Sequence, residues 1–347
     1  MQEQVSIIIP NYNGNRVLHN VLPSIKRQEY NAALFEVVVV DDASRDNSVE
    51  IVRREYPGAT VVQNVRRRGA AYSKNCGIEV ARHEWLLFLD NDIVLADNFI
   101  SMLMCQAVCA QAPCLQPKIL FFHDSSELNS TGGIANIYGY AWDRGIFETD
   151  RQQYDHKKNV FFASSAAMLI RKSVILSIGM FDADYGYLNE DFDVGYRLHM
   201  AGYETAYVPE AVCFHRLSHT MGRDNPRVKY LMERNRIMTL LKNYEMKTLR
   251  SLFPVLLRKK YKKYKNYLVA SYRDKVRYFF AALKSWAWIV WHLPMIWVKR
   301  RATQRQRRVS DEQIFAIMGE YQQYFPHFSR WAAVRDEPGM AQKVEIS

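Results

Sequence analysis

Short, almost wholly apolar runs closed by turn or acidic residues recur through the first ninety positions. VSIIIPNYN (5–13) and FEVVVVDDAS (35–44) flank a helical stretch from Arg16 to Gln28. ATVVQN (59–64) and EWLLFLD (84–90) repeat the theme, with GAAYSKNCGIEVAR as the helix between them. Continuously apolar strands alternating with helices predict a parallel sheet covered on both faces. Such sheets bind ligands beyond the carboxyl ends of their strands. Pro10-Asn11-Tyr12-Asn13, Asp41-Asp42 and Asp90-Asn91-Asp92 all fall at such ends and are expected to converge on one crevice.

From about 115 to 225 the pattern is mixed. LNSTGGIANIYGYAWDRG suits strands and loops lining a site, and FFASSAAMLIRKSVILSIG reads as a strand running into a helix. LNEDFDVGYRLHMAGYETAYVP reads as a helix stopped by Gly202 and then a strand ending at Pro209, with AVCFH as another apolar strand. Beyond 226 the chain reads as helical and basic. The expected division is a domain over 1–225, with a change of pattern near 115, and a C-terminal region over 226–347.

Charge sharpens that boundary. The formal net charge is +11, yet residues 226–310 hold 23 Lys and Arg against Glu233, Glu245 and Asp274, so the rest of the chain is net acidic. Segregated positive charge suits an anionic surface, either membrane or nucleic acid. The 347 residues, 48% of them hydrophobic, are ample for a large core. The N-terminus has no basic segment before an apolar one and does not read as a secretory signal. Cys76, Cys105, Cys109, Cys114 and Cys213 have no framework spacing, which points to a reducing compartment.

The candidate chemistry is acidic. In extended chain, residues two apart face the same way, so Asp90 and Asp92 would emerge side by side and suit a hard divalent cation. His215, ending AVCFH, offers an imidazole as third ligand, with His219 as a rival; mixed carboxylate and imidazole favours Mn²⁺ slightly over Mg²⁺. Asp42 can accept the imide N–H of uracil or thymine, or it can join Asp46 in capping the helix begun by SRDNSVEIV. Glu190-Asp191-Phe192-Asp193 opens a helix, where acids either cap or supply a general base. Neighbouring helical residues diverge by ~100°, so at most one or two of these can face the crevice. Arg66, Arg67 and Arg68 read as a solvated loop from which one guanidinium can meet phosphate.

In this order, VSIIIPNYNG, VVVVDDASRDNS, KNCGI, WLLFLDNDI, FFASSAAMLIRKSV, GMFDADYGYLNEDFDVGYRLHMAGY and VCFH resemble family 2 glycosyltransferases of the GT-A fold, over roughly residues 4–245. YLMERNRIMTLLKNY and the basic region after it resemble the rhamnosyltransferase-like branch acting on cell-surface polysaccharides. The resemblance implies an α/β, Rossmann-like GT-A fold with a mixed, mostly parallel sheet, a nucleotide-binding half over 1–115, an acceptor-binding half over 116–225 and a C-terminal helical extension. It implies an inverting transferase using a UDP- or dTDP-sugar, dTDP-rhamnose among them, and a saccharide or polyprenyl-linked acceptor. By position, Pro10, Tyr12, Asn13 and Asp42 would hold the nucleoside. Gly69, Lys74, Asp90 and Asn91 would complete the nucleotide-sugar site, with Lys74 where many relatives have Arg. Asp90, Asp92 and His215 would hold Mn²⁺ or Mg²⁺, Asp191 would be the base, and Glu190, Asp193 and Arg197 would face the acceptor.

Two rival enzymes fit less well. A nucleotidyltransferase needs a Gly-rich phosphate loop where this chain has PNYNGN, and a glycoside hydrolase needs neither nucleotide pocket nor metal pair. Nucleic acid is not expected as a partner, because the positive charge is absent from the half that carries the motifs. FFAALKSWAWIVWHLPMIWV (279–298) approaches the ~20 apolar residues that span a bilayer, but Lys284, His292 and Pro294 interrupt it. Its tryptophans and flanking basic clusters predict a helix lying on an anionic membrane surface, at the cytoplasmic face, with packing as ordinary core the alternative.

Overall fold

The computed structural model of the chain describes residues 3–109, 112–156, 159–216, 225–269 and 273–320. Strands β1 (Val5–Asn11), β2 (Phe35–Asp41), β3 (Thr60–Gln63) and β4 (Trp85–Leu89) pair in parallel in the order β3-β2-β1-β4. Their side chains divide by parity. Ile7, Ile9, Val37, Val39, Leu87 and Leu89 enter one core with helices α1 (Leu18–Lys26), α2 (Ser48–Glu55) and, further on, α4 (Phe99–Cys109). Ile8, Val38, Val40, Leu86 and Phe88 enter the other, against α3 (Ala70–Val80). Because both faces are covered, alternation is useless here, and the strands are apolar throughout.

The second half adds β5 (Ile93–Leu95), β6 (Cys114–Phe121), β7 (Leu128–Ser130), β8 (Gly133–Ala135), β9 (Ala141–Asp143), β10 (Asn159–Val160), β11 (Ala167–Arg171) and β12 (Thr205–His215). β11 lies antiparallel to both β4 and β6, so the sheet turns from parallel to mixed at that point. β6 then runs parallel to β12, whose other partners are β5 and β10, while β8 and β9 form a separate hairpin. Helix α5 (Lys172–Ser177) follows β11 as the sequence predicts, and α6 (Glu190–Met200) ends before Gly202 at φ +84°.

One expected break is not a break. Pro209 does not end its strand: β12 slips register against β6 between Val208 and Val212 and continues to His215. A bulge at that point accommodates the proline, which has no amide hydrogen to offer the ladder. Continuity sets His215 opposite Ile93 on β5, directly after Asp90-Asn91-Asp92.

The boundary at 225/226 does not appear in the packing either. Helix α7 (Pro226–Asn243) buries Asn235, Thr239 and Asn243 completely and packs on α6. Lys242 pairs with Asp182 at 2.9 Å and with Asp193 at 2.8 Å. Charge composition reports a helix's exterior, and α7 is joined to the N-terminal body by its interior. Next come α8 (Met246–Val269), α9 (Arg273–Trp291), α10 (Leu293–Arg305) and α11 (Asp311–Glu320); α11 is tied to α6 by the Tyr196 hydroxyl, which donates to Asp311 at 2.8 Å. The apolar stretch 279–298 is therefore two helices meeting at His292. No helix among the described residues is long and apolar enough to cross a membrane. His219 and the C-terminal part of the expected region, 321–347, lie outside the described residues, as do the side chains of Lys259, Lys260, Lys262, Lys263 and Lys265.

Candidate active site

β4 ends at Leu89, and the Ile93 amide donates to the Asp90 carbonyl at 3.1 Å, so Asp90-Asn91-Asp92 is a turn and not extended chain. The two carboxylates meet through that turn, which corrects the same-face reasoning from sequence. Carboxylate oxygens of Asp90 and Asp92 and a ring nitrogen of His215 all lie within 4.8 Å of one another. The His215 Nδ1–H donates to Asn129 Oδ1 at 3.0 Å, and its Nε2 faces Asp92 Oδ1 at 3.3 Å. A nitrogen lone pair aimed at a carboxylate oxygen requires a proton or a cation between them. Burial would lower the His215 pKa, but the hydrogen bond and charge of Asp92, with Asp90 and Asp143 behind it, raise it. Two carboxylates and an oriented imidazole are a suitable donor set for Mn²⁺ or Mg²⁺.

Asp191 opens α6 beside this group. Burial, then the charges of Glu190 and Asp143, push its pKa up to about 7, with Lys74 opposing. A carboxylate near neutrality can accept a proton and still be ionised at working pH. Its Oδ2 accepts the Ser165 amide at 3.4 Å. Glu190 turns the other way and is buried, accepting from Ser165 Oγ at 3.3 Å and from Lys74 Nζ at 3.4 Å.

Several expected roles do not survive the geometry. Lys74 is 1% exposed; its ammonium donates to Ser165 Oγ at 2.6 Å, sits 3.8 Å from Asp90 and lies over the Phe181 ring. It braces Asp90 and Glu190 from beneath and is not open to a phosphate. Glu190, Asp193 and Arg197 do not face an acceptor. Asp193 is fully buried against Arg197 (2.8 Å) and Lys242, and Arg197 also donates to the Ile178 and Met180 carbonyls. The 100° step along the helix separates these side chains: Asp191 meets the crevice and Asp193 meets α7.

Asp42 is also given other work. Its carboxylate accepts from Asn64 Nδ2 (2.9 Å), the Arg68 amide (2.8 Å) and the Gly69 amide (2.7 Å), which uses three of its ~four acceptor positions. It anchors the loop 64–69 rather than presenting a free acceptor to a base. Asp46, one residue before the Asn47 N-cap of α2, accepts from the Ser48 amide at 3.1 Å. Gly69 itself, at φ +95°, lies so close to Gly186 that a Cβ would come within 2.5 Å of the Gly186 carbonyl oxygen. Only glycine allows this contact between the loop and the segment leading to Asp191.

The anchored loop forms one wall of a cavity of about 540 Å³ lined by Tyr12, Ala43, Arg45, Val65, Arg66, Arg67 and Arg227. These positions follow the ends of β1, β2 and β3, and Arg227 arrives from α7. The Arg67 guanidinium stacks 3.7 Å from the centre of the Tyr12 ring, so the basic run is more than a solvated loop. Pro10 lies half-buried within β1 opposite Val40, and Asn13, at φ +52°, accepts from the Arg45 amide at 2.9 Å. Asn91 donates to Asn11 Oδ1 at 2.8 Å, and Asn11 in turn donates to Asp41 and Ser48. Asn11 thereby ties the cavity wall to the acidic turn.

Sequence reading placed Asn11 at the crevice without a role and missed Asn129, Asp143, Ser165, Tyr187 and Asn235. Asp143, accepting from Ser130, acts on Asp191 by its charge, whereas Tyr187 is itself acted upon: burial and then the charges of Asp90, Glu190, Asp92 and Asp191 raise its pKa. Asn235 Nδ2 donates to the carbonyls of Tyr185, Tyr187 and Leu188, and Arg234 to those of Asp184 and Tyr185. Leu188 and Asn189 both have positive φ, 72° and 66°, immediately before Glu190. The Arg234-Asn235 clamp thus holds a strained loop that aims Asp191. A buried polar pair in an otherwise basic helix was the only signal in the chain.

Comparison with known proteins now bears on this geometry. Residues 6–176 match the sequence family described as Glycosyl transferase family 2. The chain contains a family 2 glycosyltransferase domain. It is 24% identical over 223 residues to the poly-β-1,6-N-acetyl-D-glucosamine synthase of Staphylococcus epidermidis, covering 63% of this chain and 52% of that protein. The chain thus spans about half the length of the curated relatives at the head of the comparison. Its backbone resembles that of GalNAc-T7 with UDP, GalNAc and Mn²⁺ (TM-score 0.57, 16% identity, 71% of this chain and 49% of that one). It also resembles the mannosyltransferase PcManGT of Pyrobaculum calidifontis in complex with GDP-Man and Mn²⁺ (TM-score 0.52, 17% identity, 92% and 87%). The domain has the GT-A-like fold, and none of these relatives is named a rhamnosyltransferase.

Proposed function

We propose that this domain transfers a sugar from a nucleotide-diphospho-sugar to a hydroxyl of a saccharide or lipid-linked saccharide acceptor, with inversion, in cell-surface polysaccharide synthesis. The observation that carries the reading is the grouping of Asp90, Asp92 and His215 within 4.8 Å beyond the carboxyl end of β4, with Asp191 among the neighbouring acids and the Arg-lined cavity at the ends of β1 to β3. Tyr12 and Arg67 would stack the base, and Arg45, Arg66 and Arg227 would meet the charge of the nucleotide. Asp90, Asp92 and His215 would hold a divalent cation, which when bound neutralises charge on a diphosphate leaving group. Asp191 would take the proton of the acceptor hydroxyl. A single displacement with one base and no protein nucleophile inverts the anomeric centre.

Because Asp42 is occupied by its own loop, it supplies no reason to prefer uracil or thymine over guanine. The screen must therefore include UDP-, dTDP- and GDP-sugars, dTDP-rhamnose among them, each with Mn²⁺ and with Mg²⁺. One nucleotide class should raise the melting temperature and be hydrolysed slowly only when the cation is present. If no nucleotide-sugar shifts melting and none is hydrolysed, the reading fails.

A further inference from the structure

Helix α9 is built inside out for a surface helix. Ala281, Ser285 and Ile289, four residues apart, are buried, and Ile289 packs in the cluster around Tyr185. A surface helix ordinarily turns charged residues outward on the opposite face. Here that face carries Phe280 (63% exposed), Leu283, Val290 (63%) and Trp291 (84%), with a single lysine between them, Lys284, whose ammonium lies over the Tyr230 ring. Helix α10 repeats the arrangement: Ile296, Arg300 and Thr303 point inward, while Trp297 and Val298 point out. Trp286 and Trp288, expected at an interface, turn toward the protein instead, and the Trp288 ring stacks on His292 and under the Arg234 guanidinium. Only one face of 279–298 is core.

We infer that the outer face of α9 and α10 docks on an anionic lipid leaflet. Charge selects the occupant. Residues 275–310 contain no Asp or Glu. Arg277 lies at one end of the exposed stripe, and Arg301 and Arg305 lie at the other. A second copy of the chain would bring the same positive surface against itself across a two-fold axis, which electrostatics opposes. Exposed aliphatic and indole side chains find no partner on a phosphate backbone. A leaflet accommodates all three features: apolar side chains enter the acyl boundary, indoles sit at headgroup depth, and guanidinium groups meet anionic headgroups. Neither helix can cross the bilayer. Their inner faces fix the orientation, because Lys299 pairs with Asp182 and Asp184 in the turn that leads to Asp191.

Flotation of the full chain tests the inference with vesicles of phosphatidylcholine alone and of phosphatidylcholine mixed with phosphatidylglycerol. The wild type should float with the mixed vesicles, weakly with the neutral ones, and less as salt rises. Trp291→Ser combined with Trp297→Ser should weaken partitioning about tenfold or more, since two buried indoles are removed. Both positions are exposed, so the variant should keep the wild-type melting temperature. A double variant that floats as well as the wild type overturns the inference, as does a wild type that ignores anionic vesicles. A concentration-dependent wild-type dimer that the double variant abolishes would assign the face to a second copy and also overturns it.

Discussion

Asp191 and Asp193 stand two residues apart at the start of one helix, and the structure assigns them opposite fates. Around Asp191 the neighbours are mostly acids, so burial and like charge raise its pKa to about 7. Asp193 is more deeply buried, yet Arg197 and Lys242 overcome that burial and hold its pKa low. Burial does not distinguish a functional carboxylate from a structural one; the sign of the nearest charge does.

The comparison breaks most sharply under substitution. Asp191→Asn should lower turnover ~10²–10⁴-fold as loss of a general base while nucleotide-sugar binding stays near wild type. Its folded pKa is raised above that of the unfolded chain, so the native state holds more protons between about pH 4 and 7 and loses stability as pH rises through that window. The neutral variant should therefore melt at the same or a higher temperature at pH 8. In the wild type, kcat/KM should fall as pH drops below about 7. Wild-type turnover in Asp191→Asn would reduce Asp191 to a cap.

Asp193→Ala should do the reverse, with little direct effect on chemistry and a stability loss of ~3–5 kcal/mol, because Arg197 is left buried without its counter-ion and Lys242 keeps only Asp182. Chemical denaturation measures this. A melting curve unchanged from wild type would show that the ion network is dispensable.

Asp92→Ala should weaken nucleotide-sugar binding and remove any response of activity to Mn²⁺ or Mg²⁺. Titration calorimetry of the cation reads this out directly. Full wild-type activity in excess chelator would reject the metal role of Asp90, Asp92 and His215 together. The smallest effect is expected from Asn235→Ala, which frees the loop before Asp191 without touching the crevice. A loss of about tenfold in kcat with little change in KM is expected from slight misplacement of a reacting group. A change in KM alone would argue against a positioning role.

The parallel strands, their helices and the acidic turn were legible because each depends on local pattern: uninterrupted apolar runs and turn residues at their ends. The bulge in β12 was not. Pro209 carries a strong local signal to stop, and only pairing with β6 reveals that the strand continues. Lys74 and Asp42 were misassigned for a related reason. Asp42 at a strand end looks available and Lys74 was placed by resemblance alone, whereas their partners, Glu190 of α6 and the loop amides of Arg68 and Gly69, come from distant segments.

By itself the chain determined which residue types stand at each strand end, and hence that carboxylates, an imidazole and arginines would gather at one edge of a covered sheet. Side-chain periodicity suffices for this, since it is set by backbone geometry within a few residues. Tertiary structure alone decided which acid remains reactive and which face of 279–298 stays exposed. Both depend on packing: Lys242 from α7 joins Arg197 of the same helix in holding Asp193 ionised, and α7 with the Tyr185 cluster covers only the inner side of α9. Charge state and exposure are properties of an environment: Arg197 and Glu190 are near neighbours in the chain, but Lys242, Asp143 and the α7 residues that meet α9 come from distant segments.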